Sequence, residues 1–335
     1  MHLVLTLPGL VAQVADRVVH APHIARLLAA AGPPTHKPDG LDDALAAYYG
    51  IEHASGTDCP LAPVRLAGVG VDPDTAFWLR ADPVTLVAGR DDVRLTGTVR
   101  DLAVDDAAAL IAMLNAHFES DGIVFVAARP DAWFVRAPVR VALLTRPVAA
   151  VAGRMLRDLL PTGPDAGTWR RWQNEIQMLL HQHPVNAARE RDGKAPANSL
   201  WFSEGGTMPP RSRIADGIRT FANDGVATAL AVYADSPARP VPEALHAAQA
   251  AADDAATTVV ALHTPLDLDA VEHGWAAPAW TALVERKLDA VTMLVDGGDE
   301  AFAWTARRPT LRQRIALHFA RHDLATLLAM PHASA

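Results

Sequence analysis

The sequence predicts an α/β protein: a mostly parallel sheet with helices on both faces, interrupted by an inserted α+β domain. Three observations carry this. Residues 225–234 (GVATALAVYA), 257–263 (TTVVALH) and 289–298 (DAVTMLVDGG) are continuous apolar runs separated by helical segments, the texture of strands buried on both faces. A short apolar strand, Leu3 to Leu7, ends at Pro8-Gly9 and supplies a first strand for the same sheet. From about residue 75 to 155 the pattern changes to alternation with tight turns, which suits antiparallel strands. The core is therefore expected at 1–74 and 156–335, with the insert at 75–155.

The elements follow in order. After the first strand, Ile24, Leu27, Leu28 and Ala31 fall at helical spacing, and Gly32 stands where a helix would stop. Residues 33–75 are rich in Pro, Gly and Asp and predict loops around short helices such as Leu41–Tyr49. Val84, Leu86, Val93 and Leu95 alternate around Gly89-Arg90-Asp91, as in a hairpin. Asp105–Ser120 places Leu110, Leu114 and Phe118 on one helical face, with Asp105 as the expected N-cap. Residues 122–138 predict two more strands joined at Arg129-Pro130-Asp131. A helix over Val148–Leu160 closes this unit, and Pro161-Thr162-Gly163-Pro164 predicts a linker. Further helices are expected at 168–183, Pro242–Ala252 and Trp275–Asp289, with an amphipathic helix or helix pair at the C-terminal end.

Composition narrows the function. The formal net charge is −8, which argues against nucleic acid and against an anionic membrane surface, since both partners want a basic face. The single cysteine, Cys59, cannot form an intrachain disulfide, so a reducing compartment is expected. The N-terminus lacks a basic n-region, and Pro8-Gly9 break its apolar run, so it reads as a buried strand rather than a signal peptide. No run reaches the roughly 18–20 apolar residues of a membrane span. The expected location is cytoplasmic.

Three stretches hold candidate chemistry. In HQHPVNAARERDGKAPANSLWFSEGGTMP (181–209), Pro184 ends a helix striped with Trp169, Trp172, Ile176, Leu179 and Leu180. Asn186 then stands as N-cap of a short helix that Asp192-Gly193 terminates. Helix N-termini bind anions, and His183, Arg189 and Asn198 nearby would add donors. The plainer alternative is that Asn186 only caps and Arg189 only faces water. In ALHTPLDLDAVEHGW (261–275), at the end of an apolar strand, Asp269 and His273 share a helical face. His263, Asp267 and Glu272 stand near them in sequence, a set of donors suited to a metal. In VDGGDE (295–300), Asp296 could approach the same crevice, although Gly297-Gly298 more simply marks a turn. Ser55, Thr57 and Cys59 have no adjacent base that would make one of them a nucleophile.

Taken in order, these stretches resemble archaeal-type, cofactor-independent phosphoglycerate mutases of the alkaline phosphatase superfamily. The segment from His183 matches that family's His-Pro-Val-Asn, Arg, Gly, Pro-Ala-Asn, apolar strand, Gly-x-Gly, Pro. HAPHIARLLAAAG (20–32) is similar to the helix after its first strand. GVDPDTAFWLRADPVTL and LNAHFESDGIVFVAARPDAWFVR resemble its inserted domain, and HTPLDLDAVEHGW resembles its metal-site segment. Closer still is the resemblance to bacterial RpfE-type regulatory proteins, through segments 78–84, 114–118 and 183–186.

The resemblance implies an alkaline-phosphatase-like core, two divalent metals and a Ser or Thr nucleophile that is transiently phosphorylated. The sequence departs from that pattern. Its first strand ends Pro8-Gly9 instead of Asp-Gly. The place of Ser-Asp-x-Ala is taken by TDCPLAP. Thr264-Pro265 stands where a Lys is expected, Gly274 follows His273 instead of Asp, and Asp296-Gly297 replaces Asp-His. Ser203 stands in place of an Arg. What the resemblance leaves is at most one depleted site on Asp269, His273 and Asp296, for one manganese or zinc ion. The expectation is a mutase-like protein without phosphoryl transfer, binding a small phosphorylated ligand or a protein partner in a regulatory role. The alternative is an active metal-dependent mutase or phosphohydrolase with rearranged ligands. That alternative requires His263, Asp267, Asp269, His273 and Asp296 to converge within about 5 Å.

Overall fold

The computed structural model describes residues 1–15, 19–90, 92–157, 159–251, 255–298, 300–319 and 323–329. The chain folds as two compact units, Met1–Gly50 with Arg211–Ala335, and Ile51–Pro210. In chain order the strands are β1 (His2–Leu7), β2 (Thr35–Lys37), β3 (Phe77–Ala88), β4 (Val93–Thr98), β5 (Val124–Arg129) and β6 (Ala132–Ala137). They continue with β7 (Ser199–Gly206), β8 (Ile218–Phe221), β9 (Thr257–Ala261), β10 (Ala290–Asp296) and β11 (Ala301–Arg307).

The first unit is built on a six-stranded sheet of order β2-β11-β10-β1-β9-β8. Its three central pairings, β10 with β1, β1 with β9 and β9 with β8, are parallel, and β11 and β2 add an antiparallel edge. The mixed, mostly parallel α/β sheet expected from the sequence is present.

The two faces of this sheet differ in chemistry. Leu3, Leu5, Leu7, Val260, Val291, Met293 and Trp304 point one way and pack with Ile24, Leu27, Leu28, Ala279 and Leu283. The continuous apolar runs place threonines on the other face, where Thr292 hydrogen-bonds Thr305 at 2.8 Å and the ring of His2 at 2.8 Å. Tyr49 meets Thr220 there at 2.7 Å, and burial pushes its phenol well above the usual range.

The second unit is an antiparallel sheet with β3 at its centre. β7 lies along one edge of β3, while β6 pairs with its first half and β4 with its second. β5 pairs with β6, and the helix Val104–Phe118 buries Leu110, Leu114 and Phe118 in this unit's core. The strand–strand–helix–strand–strand order read from the sequence is present.

Four expectations are corrected. Residues 225–233 are a helix, not a strand. Ala227, Ala229, Leu230 and Ala231 are all buried, so no period separates a faceted helix from a strand, and alanine favours the helix. The helix expected over Val148–Leu160 is only Val148–Val151, because Gly153 has positive φ and the chain then turns. Asp105 lies in the first helical turn, and Ala103 is the cap residue. The fourth concerns the boundaries: β7 pairs with β3 and residues 51–74 and 156–210 belong to the second unit, so Pro161–Pro164 lies inside a unit, where Thr162 bridges Leu144.

Candidate functional site

The residues singled out in the sequence fall into two groups, one in each unit, and local structure decides what each can do. In the second unit the helix Ala166–Gln182 buries Trp169, Gln173, Ile176 and Leu180 against the sheet and ends at His183. Pro184 then begins the next helix, Pro184–Arg191, because its fixed φ and missing N–H suit the first helical position. The N-cap is therefore His183, whose Nδ1 accepts from the Val185 amide at 3.2 Å.

Asn186 lies inside that helix and is buried. Its Nδ2 donates to the carbonyls of Leu180 at 2.8 Å and Ala197 at 2.9 Å, and its Oδ1 accepts from the Ala197 amide at 2.9 Å. Arg189 is 4% exposed. Its guanidinium donates to the Ala195 carbonyl at 2.9 Å, to the Asp101 carbonyl at 3.2 Å and to Asp101 Oδ1 at 2.5 Å. That contact holds the Asp101 carboxyl below the usual carboxylate range. Asn198 pairs with both backbone groups of Leu86, at 2.8 Å each. All four side chains face their own chain, and they join the helix pair to β3 and to the segment that leads into β7.

A second buried polar set in this unit was not read from the sequence. Asp58, in the TDCPLAP segment, accepts from the Thr145 amide at 2.7 Å, the Thr145 hydroxyl at 2.5 Å and the Gly205 amide at 3.0 Å. Burial raises its pKa against the pull of those bonds. Arg65 forks onto Glu204 at 2.6 and 3.1 Å, and Arg80 pairs with Asp82, whose carboxyl burial also pushes up. Glu204 holds a left-handed φ of 60°. At Gly206 a Cβ would stand 2.3 Å from that of Pro60, so the close approach of these segments requires glycine there. Asp58 alternates with no apolar pattern, and its partners are 87 and 147 residues away; no local signal could have found them. The Thr57 hydroxyl donates to the Ala54 carbonyl at 2.7 Å, within a turn.

In the first unit Asp296 ends β10 beside the end of β1, and its Oδ1 accepts from the Gly9 amide at 2.7 Å. Burial raises its pKa, and the Gly9 contact opposes the shift. Gly9 has a φ of +75°, the conformation that lets the chain turn at this point. Asp267 caps the turn Leu268–Ala270 by accepting from the amides of Asp269 at 3.1 Å and Ala270 at 3.0 Å. Asp269 and His273 do share a face, 3.2 Å apart, but their side chains are 89% and 72% exposed.

Glu272, a candidate donor by sequence, is buried and committed elsewhere. It accepts from the His23 amide at 2.8 Å, the His23 ring at 2.6 Å and the Ile24 amide at 3.0 Å. It thereby caps the helix Pro22–Ala31, whose own N-cap residue, Ala21, has no side-chain acceptor to offer. Among the described residues no three of His263, Asp267, Asp269, His273 and Asp296 offer ligand atoms within 4.8 Å of one another. Ligands at 2.0–2.3 Å from one ion must lie about that close, so this set does not fit the metal pair that the resemblance implies.

Fold and site thus describe an α/β protein with a mostly parallel sheet in one unit and an antiparallel α+β sheet in the other. No family model matches the chain. It is similar to the 2,3-bisphosphoglycerate-independent phosphoglycerate mutase of Methanosarcina barkeri, 28% identical over 184 residues, or 52% of this chain and 44% of that one. The chain therefore matches less than half the length of that relative. Among solved structures it is similar to the cofactor-independent phosphoglycerate mutase from Thermoplasma acidophilum, at 13% identity and a TM-score of 0.45, over 92% of this chain and 90% of that one. It is also similar to the PH0037 protein from Pyrococcus horikoshii, at 14% identity and a TM-score of 0.49, over 91% and 87% of the two chains. The relationship to archaeal phosphoglycerate mutases is thus one of homology at low identity. No helix among the described residues is long and apolar enough to cross a membrane.

Proposed function

We propose that this chain is a phosphoglycerate-mutase-like protein without phosphoryl transfer, which acts by binding a small phosphorylated ligand in a regulatory role. The observation that carries the proposal is the dispersal of the metal donors. Asp269 and His273 stand exposed and paired with each other, Asp267 caps a turn, and Glu272 caps a helix. Phosphoryl transfer on metals acts chiefly by electrostatic stabilisation from ions held between converging ligands. A set that does not converge removes that stabilisation.

Two further features support the reading. The His183–Asn198 segment, which the resemblance would place around a phosphate, makes its hydrogen bonds within the chain and serves as scaffold. The hydroxyl of Thr57, in the segment that stands in the nucleophile's place, is engaged in a turn. The likeness to RpfE-type regulatory proteins at 78–84, 114–118 and 183–186 favours regulation over catalysis, in a cytoplasmic setting.

The test is phosphorus NMR of 3-phosphoglycerate with the full chain, with and without manganese and zinc. The expected spectrum has no 2-phosphoglycerate and no free phosphate, but a substrate signal shifted or broadened by binding. Metal-stimulated turnover that disappears in Asp269→Ala would overturn the proposal.

A further inference from the structure

We infer that the second unit carries an anion-binding cleft, and that this cleft is where the phosphorylated ligand docks. The inference rests on the reading above that the chain binds such a ligand, and it names a place that neither sequence cluster contains. The cleft measures about 330 Å³ and opens where β3 begins and where β6 and β7 end. Arg136, Arg140, Thr75, Thr207, Phe77 and Pro138 line it, and among the described residues no acidic side chain does.

The strand pattern explains why arginine reaches this place. Along β6, Ala132 and Phe134 are buried on one face, and Arg136 continues that face to the point where it meets solvent. Arg140 follows after Ala137-Pro138-Val139. The wall between them is fixed: Gly122, at φ +69°, lets Pro138 approach so closely that a Cβ would stand 3.2 Å from it. The rim before β3 is fixed as well. Asp72 accepts from the Asp74 amide at 2.9 Å, Asp74 from the Ala76 amide at 2.5 Å, and the Trp78 indole donates to the Pro73 carbonyl at 2.7 Å.

Both guanidinium groups keep donors to offer. The carboxylate nearest Arg136, on Asp74, is 3.5 Å away, and both side chains are about half exposed; such a pair contributes little in water. Arg140 makes no hydrogen bond or ion pair among the described residues. Two like charges lining one cleft repel until an anion lies between them, and this occurs on a chain of net charge −8. Guanidinium forks match phosphate oxygens, and the threonine hydroxyls can complete the set. The volume is at the low end for ligand sites and suits a phosphate monoester of a few carbons, its carbon part against Phe77 and Pro138.

The test is calorimetric titration of the full chain with 3-phosphoglycerate, inorganic phosphate and citrate. The Arg136→Gln/Arg140→Gln double variant is compared with Arg129→Gln, a control at the β5–β6 turn that pairs with Asp131. The double variant should bind 3-phosphoglycerate and phosphate at least about tenfold more weakly, at an unchanged melting temperature, with the control unaffected. Unaltered binding in the folded double variant would overturn the cleft and leave the ligand-binding reading standing. No binding by the unmodified chain would overturn both. Citrate bound as tightly as 3-phosphoglycerate would overturn the assignment to phosphate.

Discussion

The segments 183–198 and 267–273 carry the same resemblance and have opposite physical characters. In the first, Asn186 and Arg189 are buried and every polar atom described above meets a backbone group or Asp101. In the second, Asp269 and His273 are exposed and meet each other. A buried polar group left unpaired costs far more than an exposed one, so a scaffold is kept by folding itself. An exposed ligand pair has no such hold on the sequence around it. The motif that survives most legibly is therefore the one that builds the fold, and its legibility says little about chemistry.

The sharpest way to break this comparison is Asn186→Ala. It takes the side-chain partner from both backbone groups of Ala197 and leaves the Leu180 carbonyl with only the His183 amide. The expected loss is about 2–4 kcal/mol of stability, read as a lower urea midpoint. A change below about 0.5 kcal/mol would mean that the segment is not scaffold.

A pH effect of intermediate size comes from the first unit. Burial holds the His2 imidazole below its ordinary pKa, with Arg307 and the N-terminal amine adding to the shift. Since the folded value lies below the unfolded one of about 6.5, the folded state prefers the neutral ring. Stability is then complete above about pH 6.5 and falls as pH drops through the folded pKa. Melting temperatures taken across that window should slope downward with acid, and His2→Gln should flatten the slope. His273→Ala, at an exposed position, should leave it in place.

The smallest effect belongs to the exposed pair. Asp269→Ala should shift stability by no more than about 0.5 kcal/mol, the usual range for a surface position. A larger loss by thermal melt would show that the pair holds more than itself.

Legibility followed how local each signal was. The hairpins around β3–β4 and β5–β6, with the helix between them, were readable because alternation and helical spacing are carried by neighbouring residues. The helix at 225–233 was missed because burial on most sides erased its period. β8 and β11 lacked a distinct pattern, being a short strand and a strand mixed with small residues. At the candidate sites, residue types were visible but their commitments were not. Glu272 looked like a metal donor, yet it caps a helix 248 residues away. The Asp58 and Arg65–Glu204 contacts close over 139 residues or more in part, and sequence spacing cannot carry such pairings. The cleft at Arg136 and Arg140 exists only once three strand ends are brought together.

Whether the donors at 263–296 hold a metal separates a ligand-binding protein from a metal-dependent enzyme. The direct measurement is equilibrium binding of manganese to the full chain by electron paramagnetic resonance, repeated with Asp269→Ala and Asp296→Ala. The account predicts no saturable site that either substitution removes. Stoichiometric manganese lost in both variants would contradict it, because those side chains would then converge on an ion.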